Sequence, residues 1–347
     1  MGQFVRRALA GLPVTIHEDA TGPKIGGDCG NLICVPRSFD PSRPALALFA
    51  HLDTPRSTVG VKPVLSDGRI TSDGTTILGV DNRAGVSVLL HVLKERAASS
   101  DPGNFLVVFT VAEEIGMYGA KHVDLTPYNV HVGFVFDCSK RPGVFIRSAV
   151  GCSLYTARFI GRPSHAGVSP EKGISAIRMA ALAVSRIPMG RLSPAMTSNV
   201  GTIRGGSATN VVAEECTIDG EVRAFDPADI DAHLKELRST FDDVAQSAGG
   251  QVRMDVSVDF APFTLDPASG AFRLTEEVLT SVGLKPEPIT YLGGSDANAL
   301  NALGIPCVNL GIGAQNPHAN DEFILLEDFD ATARIARELI RRSVHLT

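Results

Sequence analysis

The sequence predicts an α/β protein in which a mainly parallel sheet has helices on both faces and an α+β domain is inserted into the chain. Two apolar runs, NFLVVFTVAE and VGFVFD, lack polar alternation, which is typical of parallel strands buried on both faces. Strands of alternating polarity begin near Gly151, and the first pattern returns after about residue 262. We therefore expect one discontinuous domain over 1–150 and 263–347, with an inserted domain over 151–262.

The larger domain is expected to begin with two strands, NLICV and PALALFA, and to continue with a helix. In AGVSVLLHVLKERAA the apolar residues recur at helical spacing, and Lys94, Glu95 and Arg96 lie toward its end. The two apolar strands NFLVVFTVAE and VGFVFD are expected after this helix. After the insertion we expect a helix over SGAFRLTEEVLTSVG, a turn at GGSD, a strand in IPCVNLG and a last helix over EDFDATARIARELIRR.

The inserted domain is predicted to contain two helices and four strands. CSLYTARFIG and QVRMDVSVDF alternate in polarity, which is typical of half-exposed strands, and TSNVGTIRGG and VVAEECTIDGEVRAF are the other two. One helix is expected over PEKGISAIRMAALAVSRIP. The other covers PADIDAHLKELRSTFDDVAQSAGG, with proline near its start and Gly-Gly at its end.

Composition excludes several classes of protein. The net charge of −6 leaves no basic stripe for nucleic acid. No apolar run approaches the about 18 residues that span a membrane. The N-terminal MGQFVRRALAG lacks the apolar stretch of a signal peptide, so we expect a cytoplasmic protein. The six cysteines form no CxxC pair, which favours free thiols in a reducing compartment.

Metal-ligand side chains stand at the ends of predicted strands or in loops rich in Gly and Pro. An unpaired buried charge is costly, so several carboxylates converging on one point indicate a cation there. Two histidines with three or four carboxylates suit two zinc-like ions that share a bridging carboxylate. The residues concerned are His51, Asp81, Glu113, Glu114, Asp137 and His318.

Each of these residues also has an ordinary structural interpretation. His51 and Asp53 share one side of an extended segment, so Asp53 could orient a metal-binding imidazole, or HLD could be a surface turn. Asp81 could bridge two ions or cap the following helix. Glu113 and Glu114 face opposite ways at the end of a strand, so one could bind metal while the other acts as a general base.

Nine segments occur in an order that resembles the di-zinc metallopeptidase and deacylase superfamily. This superfamily includes peptidase T, the glutamate-releasing carboxypeptidases, aminoacylase and acetylornithine deacetylase. The resemblance runs from about residue 31 to the last helix and is closest to the peptidase T-like branch, through GGSDANALNALGIPCVNLGIGAQNPHANDEF. The segments are HLDT, GVDNRAG, TVAEEIGMYGAK, FDCS, GRPSHAG, GGSATNVV, VRAFDP, GGSDAN and NPHANDEF.

The resemblance implies a zinc-exopeptidase-like catalytic domain with two Zn²⁺ ions, for which Mn²⁺ or Co²⁺ are the alternatives. It assigns Asp81 as the bridge between the metals. Glu114 and His318 would complete one metal site, and His51 and Asp137 the other. Glu113 would be the general base and Asp53 the residue that orients His51. Relatives also carry a cis peptide after the bridging aspartate, which implies a cis Asp81–Asn82 bond.

For the inserted domain the resemblance implies a lid that also forms a homodimer. His165 would stabilise the oxyanion, often in the site of the neighbouring subunit, and Asn210 and Arg223 would hold the substrate's carboxylate or carbonyl. The residues alone leave simpler alternatives open. His165 could be an exposed turn residue, Asn210 a turn before a strand, and Arg223 a solvated strand residue.

The predicted function is hydrolysis of amide bonds by an aminopeptidase acting on short peptides. In the superfamily, aspartate at the position of Asp137 goes with aminopeptidases, and glutamate with carboxypeptidases and deacylases. One alternative is therefore a deacylase or carboxypeptidase that acts on N-acyl amino acids. Another is a non-catalytic peptide-binding protein, which the retention of every ligand and of Glu113 disfavours.

Overall fold

The computed structural model describes residues 1–97, 99 and 103–345. The chain divides into two compact units. Unit 1 comprises Met1–Ser148, Thr264–Tyr291 and Ser295–Thr347, and unit 2 comprises Ala149–Phe263 and Leu292–Gly294. Unit 2 thus covers the predicted insertion and extends slightly past it at both ends.

Strands and helices alternate in parts of the chain, and in other parts two or more strands follow one another. In the described residues the strands are β1 (Val14–Glu18), β2 (Leu32–Pro36), β3 (Ala45–His51), β4 (Pro63–Ser66), β5 (Arg69–Ser72), β6 (Phe105–Thr110), β7 (Val130–Cys138), β8 (Val144–Ala149), β9 (Gly151–Ile160), β10 (Gly190–Ser193), β11 (Met196–Gly205), β12 (Glu215–Ala224), β13 (Gln251–Phe260), β14 (Phe263–Thr264), β15 (Glu287–Tyr291), β16 (Cys307–Gly311) and β17 (Phe323–Leu325). The helices are α1 (Gly2–Leu9), α2 (Thr21–Lys24), α3 (Val80–Ala97), α4 (Tyr118–His122), α5 (Ala176–Arg186), α6 (Pro227–Ser247), α7 (Gly270–Ser281), α8 (Asp296–Ala302) and α9 (Leu326–Arg342).

Unit 1 is built on a nine-stranded sheet of order β1-β2-β6-β3-β7-β16-β8-β14, with β15 also paired to β8. Its centre is parallel, since β3 pairs in parallel with β6 and β7, and β7 with β16. The flanking pairs β1–β2, β2–β6 and β16–β8 are antiparallel. Every residue of β3 and β6 is buried, so both faces of the sheet are covered. The prediction of a mainly parallel sheet is therefore confirmed.

The parallel centre brings three strand ends to one edge of the sheet. His51, the last residue of β3, lies beside Thr110, the last residue of β6, and β7 runs in the same direction on the other side of β3. Parallel strands place their carboxyl ends together, and such an edge is where ligands bind in open α/β sheets. A separate three-stranded sheet, β17-β5-β4, also belongs to unit 1.

Unit 2 contains a five-stranded antiparallel sheet of order β10-β11-β12-β9-β13. Helices α5 and α6 pack on each other and on β12. Residues buried between the helices and the sheet include Phe159, Met179, Ile218 and Phe241, with Phe159 and Phe241 in edge-to-face contact at 5.7 Å between ring centroids. The opposite sheet face remains partly exposed, which explains the alternation along β9 and β13.

Several sequence predictions of elements were wrong in their bounds. The helix expected to begin at Pro170 begins at Ala176, because the hydroxyl of Ser175 caps it by accepting from the amide of Arg178, and a separate 3-10 turn covers Pro170–Lys172. β12 begins at Glu215 rather than at Val211. β10 is a fifth, unpredicted strand. The last residue of the helix expected over 84–98 lies outside the described residues.

The turn Leu292–Gly294, predicted as part of the larger domain, belongs to unit 2. Gly294 packs so closely on Phe260 that a β-carbon would lie 2.6 Å from its ring. All six cysteines are free, and five of them are buried. In the described part of the chain, no helix combines the length and the apolar character that crossing a bilayer requires.

Candidate metal centre

The candidate centre lies at the carboxyl edge of the parallel strands of unit 1. β3 ends on His51, Glu113 and Glu114 follow the end of β6, and Asp137 is the penultimate residue of β7. Asp81 stands at the start of α3 in non-helical backbone, and the Asp81–Asn82 peptide is cis, as expected from the resemblance. His318 comes from the loop before β17 and has a positive φ of 71°.

Asp81 lies between the two halves of the centre. Its Oδ1 is 3.0 Å from Nε2 of His51, and its Oδ2 is 3.4 Å from Nε2 of His318. His51 Nε2 is also 3.3 Å from Oδ1 of Asp137, and His318 Nε2 is 3.4 Å from Oε2 of Glu114. One carboxylate therefore presents one oxygen to each side, which is the arrangement that a bridging ligand requires.

The ligand atoms form three groups, each small enough to surround one cation. Within each group every ligand atom lies within 4.8 Å of the others. The groups are His51 with Asp81 and Asp137, Asp81 with Glu114 and His318, and His51 with Glu113 and Glu114. The first two match the half-sites that the resemblance implies, and the third places Glu113 beside them.

Asp53 joins the imidazole of His51 to the turn that carries both glutamates. The Asp53 carboxylate lies 3.5 Å from Nδ1 of His51, and the same nitrogen is 3.1 Å from the Asp53 carbonyl oxygen. The amides of Glu113 and Glu114 donate to Oδ1 and Oδ2 of Asp53, each at 3.1 Å. Burial opposes ionisation, but the ring of His51 and these amides lower the pKa of Asp53. Asp53 therefore fixes the backbone of the Glu113–Glu114 turn as well as the histidine.

A second positioning contact comes from Asn82. Its Nδ2 donates to Oδ1 of Asp137 at 3.1 Å, and its Oδ1 accepts from the amide of Gly85 at 3.0 Å. Asn82 is 1% exposed. The side chain after the cis peptide therefore holds Asp137 against the first turn of α3.

The carboxyl groups repel one another in the protein alone. Burial, and next the charge of Asp137, raise the pKa of Glu113 well above its usual value. Burial and the charge of Asp81 raise the pKa of Glu114 to about 7. Burial and Asp81 likewise raise the pKa of Asp137. Asp81 differs: burial opposes ionisation, but hydrogen bonds from His318 and His51 lower its pKa. Such crowding of like charges is what a bound cation relieves.

These residues fit divalent metal ions. Imidazole nitrogens and carboxylate oxygens are the donors that zinc takes in hydrolytic sites, and they also suit manganese and cobalt. Oε1 of Glu114 is buried and has no hydrogen-bond partner among the described residues. A buried, unpaired carboxylate oxygen in a group of three ligands is accounted for by metal coordination.

The three other predicted site residues belong to unit 2. The amide of Ala166 donates to the carbonyl of Asn210 at 2.9 Å, so the loop segments that carry His165 and Asn210 are adjacent. His165 is exposed, and its Nδ1 accepts from the amide of Gly167 at 3.2 Å. Arg223 is half-buried and forms two hydrogen bonds of 2.9 Å with the carboxylate of Glu221. Its guanidinium also lies 5.7 Å from the centroid of the Phe260 ring. The roles of these residues stay predictions.

Two buried carboxyls near the centre were not assigned roles from the sequence. Asp296 accepts a 2.5 Å hydrogen bond from the hydroxyl of Thr110, the residue that ends β6. Glu322 accepts from the amide of Gly79, two residues before Asp81. Both carboxyls occur in motifs that carried the resemblance, GGSDAN and NPHANDEF. The sequence signal for both residues was an acidic side chain inside one of these motifs. Their hydrogen-bond partners lie in distant parts of the chain, so the sequence did not indicate the contacts.

Comparisons with known proteins agree with this fold. A parallel-centred sheet that gathers histidines and carboxylates at its carboxyl edge is suited to hold metal ions, and the relatives of this chain make it a metal-dependent peptidase. The chain belongs to peptidase family M20/M25/M40, whose model matches residues 47–342.

Three relatives match nearly the whole chain. A tripeptidase from Staphylococcus aureus subsp. aureus mu50 is 32% identical, with a TM-score of 0.90 over 99% of this chain and 92% of its own. The aminopeptidase PepT from Bacillus cereus ATCC 10987 is also 32% identical, with a TM-score of 0.85 over the same shares. The protein YqjE of Bacillus subtilis (strain 168), described as uncharacterized, is 32% identical over 98% of this chain and 92% of its own length.

Proposed function

We propose that this protein is an aminopeptidase that hydrolyses short peptides with the help of two divalent metal ions. The observation that carries the proposal is Asp81, whose two carboxylate oxygens face two different histidine-containing half-sites. The similarity to a tripeptidase and an aminopeptidase over the whole chain supports a short peptide with a free amino terminus as substrate.

The metals would be held by residues of unit 1 alone. His51 and Asp137 serve one ion, Glu114 and His318 the other, and Asp81 both. Zinc is the proposed metal, with manganese and cobalt as alternatives for the same donor set. When bound, two such ions acidify a water molecule and polarise the scissile carbonyl.

Glu113 is the proposed general base. It lies within 4.8 Å of ligand atoms of His51 and Glu114, and its backbone is held by Asp53. Its carboxylate accepts the proton from the attacking water and returns it to the amine that leaves. The buried surroundings raise the pKa of Glu113, which makes it a stronger base than a solvated carboxylate.

Unit 2 is the proposed lid, and the protein is proposed to form a homodimer through it. His165 would donate a hydrogen bond to the oxyanion, acting in the site of the partner chain. Asn210 and Arg223 would hold the substrate's carboxylate or carbonyl. Support for His165 and Asn210 is their adjacency in unit 2, whereas Arg223 would have to release Glu221 to bind substrate.

We also propose a cytoplasmic location and no nucleic-acid or membrane partner. The support is a net charge of −6, free cysteines, and no spanning helix among the described residues. None of these features recruits the protein to a polyanion or a lipid surface.

The test pairs metal analysis with a substrate panel. Purified protein should contain close to two equivalents of metal, lose hydrolysis of Leu-Gly-Gly after chelation and regain it with zinc. N-acetyl amino acids should be poor substrates. A preference for N-acetyl amino acids would instead establish the alternative, a deacylase, and hydrolysis that survives complete removal of metal would overturn the proposed mechanism.

A further inference from the structure

Glu322 is a carboxylate with no exposed surface, and it lies outside the set of proposed metal ligands. Burying a carboxylate is costly unless hydrogen bonds or opposite charges compensate. Its Oε2 has no hydrogen-bond partner among the described residues. Because it is fully buried, Glu322 cannot touch a substrate, so its presence needs another explanation.

The partners of Glu322 come from the two segments that carry Asp81 and His318. Its Oε1 accepts a hydrogen bond from the amide of Gly79, 243 residues away in the sequence. Burial raises the pKa of Glu322, and the nearby backbone amides of Gly79, Val80 and His318 oppose that rise by stabilising the carboxylate. A single carboxylate therefore contacts the backbone that leads into the bridging aspartate and the backbone of the histidine that faces it.

Both segments contain a residue with positive φ, which glycine adopts readily and histidine does not. Gly79 has φ 70°, and a β-carbon there would lie 3.1 Å from side chains of both Arg83 and Thr54. His318 has φ 71°, which is uncommon for a residue with a β-carbon. Amide donors directed at one carboxylate hold such turns in a single conformation.

The far side of the His318 peptide is held as well. The guanidinium of Arg56 donates to the carbonyl of His318, and to Oδ1 of Asn320 at 3.2 Å. Two backbone hydrogen bonds between Gln315 and Phe323, of 2.9 and 3.1 Å, close the loop at its base. The loop is therefore joined at its base and held at the carbonyl of His318, while Glu322 lies on the amide side of the same peptide.

We propose that Glu322 is a positioning residue that sets the distance between Asp81 and His318 and thereby the affinity of that half-site for its metal. This inference rests on the proposed metal centre. Residues that orient ligands in this way typically contribute about 10–100-fold to metal affinity. The half-site formed by His51 and Asp137 is linked to Glu322 only through the shared Asp81, so its metal affinity should depend less on Glu322.

The experiment measures metal affinity directly, by competition with a chromophoric chelator. Glu322→Ala should bind the ion beside His318 about 10-fold more weakly or worse, and the ion beside His51 with a smaller loss, because only Asp81 is shared between them. Glu322→Gln keeps an acceptor for Gly79 and should recover part of the lost affinity. If Glu322→Ala does not fold, the metal affinities of Glu322→Gln still test the positioning role.

Asp328→Asn is the matched control. Asp328 is likewise buried, but its carboxylate pairs with Arg141 at 2.8 Å rather than with ligand-bearing backbone. Its substitution should lower the melting temperature and leave both metal affinities unchanged. A purely structural role for Glu322 would give the same pattern as Asp328→Asn.

The possible results distinguish failure of the positioning role of Glu322 from failure of the proposed metal centre. If the wild type binds two ions and both Glu322 variants bind them with unchanged affinity, the positioning role is wrong and the metal centre stands. If both ions weaken equally in Glu322→Ala, the role is again wrong, because the loss is then not greater at the half-site that contains His318. If the wild type binds no metal, the proposed centre itself fails, and the role of Glu322 with it.

Discussion

Asp81 and Glu113 have different proposed roles, although both are acidic and both lie close to His51. Asp81 faces His51 with one oxygen and His318 with the other, so its loss affects both half-sites. Glu113 belongs only to the group with His51 and Glu114, which is not one of the two proposed half-sites. Substitution of Glu113 should therefore leave the metal content unchanged. Substitution of each residue therefore gives a different signature.

Glu113→Gln should lower kcat by at least about 10²-fold, because an amide cannot accept the proton of the attacking water. The variant should keep its metal, since no ligand is removed. The measurements are steady-state kinetics on Leu-Gly-Gly and metal content of the same sample. A rate near that of the wild type would show that another group is the base.

Asp81→Ala should lower the content of both metals, whereas Asp137→Ala should lower the content of one. The reason is that Asp81 contacts both half-sites and Asp137 only the one with His51. Metal analysis after dialysis against metal-free buffer makes the comparison. A full two equivalents in Asp81→Ala would remove the bridging assignment.

The elements around the centre are joined by side chains at their ends. Thr110 ends β6, Asp296 begins α8, and the 2.5 Å hydrogen bond between them connects strand and helix inside unit 1. Asp296 is 1% exposed, and its Oδ1 has no hydrogen-bond partner among the described residues. Burial raises the pKa of Asp296 to about 7.

That shift predicts a pH dependence of stability in protein freed of metal by a chelator. An unfolded aspartate has a pKa near ~3.9, so between about pH 4 and 7 the folded state binds the extra proton and stability falls as pH rises. Asp296→Asn has no carboxyl group to ionise at this position, so its stability should not fall in this way as pH rises. Thermal unfolding should show the variant close to the wild type at pH 4–5 and more stable at pH 8, by roughly 2 °C or more in Tm. Equal or lower stability at pH 8 would contradict a buried, destabilising charge.

The whole molecule combines two compact units, for which different roles are proposed. All proposed metal ligands and the proposed base belong to unit 1, and His165 belongs to unit 2. If the protein dimerises through unit 2 and His165 serves the partner's site, each active site depends on residues from two chains.

Mixing two inactive variants tests this arrangement. His165→Ala should lower turnover about 10²–10³-fold, as loss of one oxyanion donor does, with metal content unchanged. When it is mixed with Glu113→Gln protein, part of the activity should return, because a mixed dimer pairs an intact Glu113 with an intact His165. If subunits exchange and no activity returns, His165 does not act in the partner's site.

Much of the fold was predictable because its signals are local. Some signals lie within a short stretch of sequence: the largely apolar strands β3, β6 and β7, the helical spacing of α9 and the Gly-Gly after α6. The strands β1, β4, β5, β8, β10, β14, β15 and β17 were missed. β4 is exposed along its whole length, so it has no periodic pattern, and only pairing with β5 makes it a strand.

The sequence by itself determined the class of fold, the place of the second compact unit and the residue types of the proposed metal centre. Strand ends that carry histidine and carboxylate need no partner to be recognised, since burial makes them costly without a cation. Only the tertiary structure decided how the ligands are held. Asp53 supports the turn of Glu113 and Glu114, and Glu322 contacts Gly79 across 243 residues. Such contacts join backbone amides to side chains from distant segments. An amide is present at nearly every position, so the residue type of Gly79 does not identify it as a partner of Glu322, and the packing of the chain alone brings the two together.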